Sequence, residues 1–250
     1  MKRVKGFTLA EILITLGIIG VVAALTAPAL VQNAGNAKIG PALQKIKTTL
    51  EVANQQILYD NSISDLTSLT TYDISDSDSD WEAAVESATD AFNAYCYYLS
   101  KSVPDSYYGN FYQAGNAYYR DGSTAFSYSK DSSNDIVFTM PGGAQIFFQW
   151  YKSQNSVSNG SYKGLFVSFV ADINGFGTGP NVMGKDLFWF VVDRSGAVVP
   201  HGSHAANFAY GQERWDVSGT GNTCMEDDVS DYGYGCAGSV FDNNLKVVYQ

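Results

Sequence analysis

Histidine is nearly absent from this 250-residue chain: two occur, His201 and His204, three apart in a Gly/Ser setting that reads as a solvated loop. Nucleophile elbows and Walker loops are missing as well. The fragment Gly175-Phe176-Gly177-Thr178-Gly179 fails the last spacing of a dinucleotide fingerprint, and Pro180 follows where a helix should begin. An enzyme is not expected. Basic residues are also scarce, with 15 Lys and Arg against 25 Asp and Glu, a net charge of -10 and a pI near 4.5. Such a surface repels a phosphate backbone, so no nucleic-acid partner is expected. Hydrophobic residues at 45% with 16% charged residues exclude a wholly disordered chain.

The apolar residues are unevenly spread. From Phe7 to Val31 the chain reads FTLAEILITLGIIGVVAALTAPALV, and between Lys5 and Lys38 the only ionisable side chain is Glu11. A helix of that length spans roughly 37 Å, against about 30 Å for the hydrocarbon core of a bilayer. Lys2, Arg3 and Lys5 precede it without a compensating acid, which places the first residues in the cytoplasm and the carboxyl-terminal body outside. A cleaved secretory signal is the competing reading, with Ala23, Ala24 and Ala27 as small residues. Two features oppose it: the run is long for a signal core, and a carboxylate lies inside it at a cost of several kcal/mol unless paired or protonated.

The string Lys5-Gly6-Phe7-Thr8-Leu9-Ala10-Glu11, followed by an apolar helix, resembles the leader of type IV prepilins and type II secretion pseudopilins. The resemblance covers residues 2 to about 31. It implies that a membrane peptidase cuts between Gly6 and Phe7 and methylates the new amine of Phe7, while the apolar helix stays with the mature protein. It further implies that Glu11 guides assembly by meeting a neighbouring subunit's amine, and that Pro28 is a helix-weakening proline of the kind common in pilins. The implied function is a structural subunit of a type IV pilus or type II secretion pseudopilus, polymerised through its amino-terminal helix. Its partners would be the prepilin peptidase, other pilin or pseudopilin subunits, a membrane assembly platform and the lipid bilayer. Removal of residues 1–6 takes away three of the fifteen cations and no acid, which leaves a body of charge -13 before the new amine is counted. Gly17, Gly20, Ala23, Ala24 and Ala27 supply small-residue faces for close helix approach, with lipid-facing filler as the alternative.

The expected order is a basic leader at 1–6, a transmembrane or filament-core helix at 7–31, an amphipathic continuation at 32–59 and an exported head at 60–250. In the continuation Ile39, Leu43, Ile46, Leu50, Ala53 and Ile57 share one helical face, with Gly35 to Pro41 as the place for a kink. Residues 60–80 carry six aspartates and no basic residue and read as an acidic loop; Asp76, Asp78 and Asp80 lack the glycine and glutamate offsets of an EF-hand. Trp81 to Leu99 repeats a helical stripe that includes Cys96. Nine tyrosines between Tyr95 and Tyr128 suit either subunit contacts or a sheet edge.

Strands are expected at Ile136–Met140 and Ala144–Tyr151 around Pro141-Gly142-Gly143, then at Gly164–Ala171, Leu187–Asp193 and Ala197–Pro200. The fold class is therefore α+β, a long amino-terminal helix packed on an antiparallel sheet, in agreement with the pilin resemblance. Asp172, Asn174 and Asp186 in a glycine-rich segment offer oxygen ligands for Ca²⁺, the alternative being Asx turns that bond their own amides. Cys224 and Cys236 are expected to pair outside the membrane, and Cys96 to be a buried thiol. From a different class, an uncleaved membrane-anchored surface receptor would use the same helix as a tether and would have no need of Glu11.

Overall fold

A computed structural model describes residues 8–69, 94–110, 114–128, 136–147, 165–202, 224 and 232–249. The chain divides into two units, Met1–Lys38 and Ile39–Gln250. Helix α1 runs from Leu9 to Asp60 and contributes to both. In the first unit the described side chains from Thr8 to Ala27 are exposed on every face of the helix. In the second, the helix is strictly one-sided: Ile39, Leu43, Ile46, Leu50, Ala53 and Ile57 are buried while Thr48, Val52, Gln55 and Tyr59 face outward. Each buried Leu or Ile side chain of this stripe contributes about 2 kcal/mol.

Against that stripe lies a six-stranded antiparallel sheet of order β1-β4-β5-β6-β7-β8. The strands are β1 (Tyr107–Asn110), β4 (Ile136–Thr139), β5 (Gln145–Phe147), β6 (Leu165–Asp172), β7 (Leu187–Asp193) and β8 (Val198–Pro200). Between β1 and β4 the chain makes a separate hairpin, β2 (Gly115–Tyr118) with β3 (Thr124–Tyr128). Residues 94–102 are helical (α2), and α3 spans Cys236–Asp242.

Strand β7, LFWFVVD, has no polar alternation because both of its faces are buried. Phe188, Phe190 and Val192 join the core under α1, α2 and α3, whereas Leu187 and Trp189 point into a second cluster beneath the β2–β3 hairpin with Ala117, Tyr128, Phe147, Val170 and Phe176. The tyrosine-rich stretch thus supplies strands as well as surface: β1, β2 and β3 fall where the sequence offered only tyrosines near a sheet edge. The acidic segment after α1 is likewise not all loop. Leu66 opens a short 3-10 turn, Leu66–Leu69, is fully buried, and its amide donates to Arg194 O at 2.9 Å. Residues 70–93, with Asp76, Asp78, Asp80 and the stripe from Trp81 to Phe92, lie outside the described residues; Cys96 and Leu99 are buried in the core.

One polar joint ties helix to sheet. Asn54, fully buried on α1, donates through Nδ2 to Gly196 O at 2.8 Å and accepts the Tyr95 hydroxyl from α2. Gly196 sits in the β7–β8 turn at φ +86°, and a Cβ there would lie 2.8 Å from Asn54 Cβ. Glycine is required on both counts. At the β4–β5 turn, Gly142 and Gly143 have φ +100° and +92°, the positive values expected from Pro141-Gly142-Gly143.

Candidate functional site

Two places carry the residues singled out by the sequence. The first is the start of α1. Gly6 and Phe7 lie outside the described residues, and for Pro28 only the helical backbone is described. Glu11 is described in full. Its Oε2 accepts both the Thr8 amide and the Thr8 hydroxyl at 2.8 Å, and its own amide donates to Thr8 Oγ1 at 3.3 Å. This is a capping box, in which an N-cap Thr and a carboxylate three residues later satisfy each other's backbone donors. The signal is legible in the sequence as Thr-x-x-Glu, Thr8 to Glu11, before an apolar run.

The remaining polar side chains of this stretch are also satisfied within the helix. Thr15 Oγ1 donates to Glu11 O and Thr26 Oγ1 to Val22 O, each at 2.9 Å. Eleven large apolar side chains between Leu9 and Leu30 are 44 to 76% exposed. A helix that is apolar all round, with its polar groups turned onto its own backbone, suits hydrocarbon surroundings. Leu9–Ala27 is long and apolar enough to cross a membrane.

The second place is the loop from β6 to β7. Asp172 Oδ1 accepts the amides of Asn174 at 3.0 Å and Gly175 at 2.8 Å. Asp186 is held by both oxygens, Oδ2 by the Asn181 amide at 2.8 Å and Oδ1 by the Val182 amide at 2.7 Å, and the Asn174 side chain bonds it too. Asp172 and Asp186 are buried, whereas Asn174 is exposed. Burial pushes the Asp172 carboxyl up to about 7, with the Asp186 charge adding to the effect against the two amides. Burial also raises Asp186, opposed by the Val182 and Asn181 amides. The three residues therefore gather in one loop, but Asp186 and Asn174 are spent on its internal bonding. Among the described residues no three His, Cys, Asp or Glu side chains come together.

Near the carboxyl terminus Cys224 is disulfide-bonded to Cys236, the first residue of α3. Arg120, in the β2–β3 turn, donates to Tyr249 O at 3.1 Å and lies 5.5 Å from the centre of the Tyr249 ring. His201 departs from the solvated loop expected of it. It is 5% exposed, its Nδ1 is 3.1 Å from Tyr234 O, and its ring packs beside Trp189. Trp189 and Tyr234 enclose the imidazole because β8 ends directly beneath them, which brings His201 N to Trp189 O at 3.0 Å. Burial brings its pKa down to about 4. His204 lies outside the described residues.

An apolar helix capped by Thr8 and Glu11, ahead of an α+β unit, defines a membrane-anchoring segment joined to a globular body. Residues 1–27 match the family described as the prokaryotic N-terminal methylation motif, the leader of type IV pilin- and pseudopilin-type precursors. No curated protein and no solved structure matches the chain.

Proposed function

We propose that the protein is a structural, non-enzymatic subunit of a type IV pilus or type II secretion pseudopilus, cut by a prepilin peptidase between Gly6 and Phe7 and polymerised through α1. The observation that carries the reading is the first unit itself: the matched leader motif runs into a helix whose apolar side chains are exposed all round. A tether needs apolar length alone. A filament core also needs a buried acid that another chain can neutralise, and Glu11 is the one ionisable group between Lys5 and Lys38. In this reading the basic leader stays cytoplasmic, the second unit is exported, and other subunits and the membrane assembly platform are the partners. Assembly removes the apolar face of α1 from lipid and buries it against neighbouring helices.

The test is the intact mass and amino-terminal sequence of the protein purified from native membranes. A chain that begins at N-methylated Phe7, recovered in sheared fibres, is the expected outcome. A chain that still begins at Met1 would overturn the proposal and leave a membrane-anchored surface receptor, and a cut beyond Val31 would make the protein freely secreted.

A further inference from the structure

We propose that the carboxyl-terminal segment 243–249 is a strap under strain, closed over α1 at Gly40 and fastened at its far end by Arg120, and that opening it lets α1 bend between Gly40 and Pro41. The sequence places a kink between Gly35 and Pro41, yet α1 is helical without a break from Leu9 to Asp60. Pro41 has no amide to give the Ala37 carbonyl, and Gly40 beside it is, after proline, the poorest kind of helix former. The weak turn is therefore held from outside the helix.

The strap supplies that contact. After α3 the Leu245 amide donates to Val240 O at 2.8 Å and the Lys246 amide to Asn243 O at 3.2 Å, which folds a tight turn. The turn meets α1 so closely that a Cβ on Gly40 would lie 2.0 Å from Leu245 O and 2.7 Å from Leu245 Cβ. Only glycine admits it. Beyond the crossing Val247 packs against the core and the Tyr249 ring is buried in it. Arg120 closes the far end, donating to Tyr249 O at 3.1 Å with its guanidinium 5.5 Å from the centre of the ring. The Arg120 stem is itself wedged, since a Cβ on Gly233 or Gly184 would lie 3.1 or 3.5 Å from its Cδ.

The closed strap carries two costs that opening removes. Asn244 and Leu245 take the left-handed conformation in succession, at φ +55° and +63°, a region that suits asparagine but is unfavourable for leucine. The Tyr249 hydroxyl is buried and, among the described residues, has no hydrogen-bond partner, whereas buried polar atoms nearly all have one. Strain of this kind persists only where the surroundings impose it, and it collects in segments that switch. The contacts that impose it here are the Gly40 crossing, the buried Tyr249 ring and the Arg120 bond.

This inference does not depend on the filament reading. The test is hydrogen–deuterium exchange, read by mass spectrometry on the full chain in detergent, at residues 42–44 of α1, at residues 245–249 of the strap, and at β6 and β7 as the reference core. Arg120→Ala should speed exchange in the strap and in residues 42–44 together, by about tenfold, and leave β6 and β7 unchanged. Gly40→Ala should free the strap as well, although alanine is the better helix former. Tyr249→Phe, which removes the orphaned hydroxyl and keeps the ring, should slow exchange in the strap by about fivefold. A faster strap over unchanged residues 42–44 in Arg120→Ala would overturn the splinting of α1, and a strap in Gly40→Ala as protected as in the unsubstituted protein would overturn the crossing. Exchange of β6 and β7 that rises in step with the strap would show that it does not open by itself, and faster strap exchange in Tyr249→Phe would overturn the strain.

Discussion

Replacing Gly196 by alanine probes the joint between α1 and the sheet, and Gly143→Ala supplies its control. Both glycines sit in turns of the second unit at nearly the same backbone angle, φ +86° and +92°. A Cβ at Gly143 meets nothing within 4 Å, so alanine there costs only the left-handed strain, about 1–2 kcal/mol. At Gly196 the same strain is joined by a Cβ 2.8 Å from Asn54 Cβ, 3.4 Å from Gln55 Nε2 and 3.6 Å from Leu58 Cδ1. The first of these atoms is anchored to the helix backbone and cannot swing away. Relief requires the turn to lift, which stretches the 2.8 Å bond from Asn54 to Gly196 O. Overpacking of this kind costs about 1–3 kcal/mol, so Gly196→Ala should lose about 2–5 kcal/mol in all. Because the backbone strain cancels, the difference between the two variants isolates the contact of turn and helix. Urea unfolding followed by near-ultraviolet circular dichroism reads both. Equal destabilisation would refute the idea that Asn54 and Gly196 form the joint.

The pH dependence of stability should carry the mark of His201. Its pKa is about 4 in the folded protein and about 6.5 unfolded, so both states are neutral above pH 6.5 and the contribution to stability is intact there. As pH falls from 6.5 to 4 the unfolded chain takes up a proton that the folded one refuses, and about 3 kcal/mol is lost; His201→Phe should flatten that limb of a stability-versus-pH curve. Reduction of the Cys224–Cys236 bond, or Cys224→Ser with Cys236→Ser, should cost about 3 kcal/mol and lower the Tm measurably; an unchanged melt would mean that the bridge contributes nothing to the fold. In the proposed filament Glu11→Ala should stop assembly while cleavage after Gly6 continues, with immunoblots of sheared and membrane fractions as the readout. Thr8→Val, which removes the capping hydroxyl, should lower the yield of fibres less severely, since N-cap loss costs only about 1 kcal/mol.

Helical periodicity made the core face of α1 legible: every residue of the stripe Ile39, Leu43, Ile46, Leu50, Ala53 and Ile57 is buried. Strands β4 to β8 were legible for a similar reason, since runs of Val, Ile and Phe between glycine turns have few other uses. The strands β1, β2 and β3 were not, because Tyr, Gly, Asn and Ser in that segment give no period-two contrast between buried and exposed faces. Leu66 was hidden in an aspartate-rich run whose composition speaks for solvent while one side chain anchors it. The burial of His201 is not legible in the sequence because it depends on Trp189 and Tyr234, residues 12 and 33 positions away, which no local pattern reports. The β6–β7 loop was half legible. Side-chain chemistry drew attention to Asp172 and Asp186, but which oxygens the loop amides consume is decided by backbone geometry.

In the proposed filament a single acid, Glu11, serves both a lone helix and an assembly. Both Thr8 donors converge on Oε2, and among the described residues Oε1 has no hydrogen-bond partner. A cut between Gly6 and Phe7 would leave Thr8 as the second residue, with its amide and hydroxyl intact, so the cap survives processing. Before assembly, the carboxylate is therefore half satisfied at its own helix terminus, where the macrodipole also favours an anion. In that filament its second oxygen would take the amine of another chain, neutralising two charges in a medium of low dielectric constant. A carboxylate satisfied twice in its own helix would have nothing to offer a neighbour. One left wholly bare would weigh against membrane insertion, and the capping box sets Glu11 between these limits.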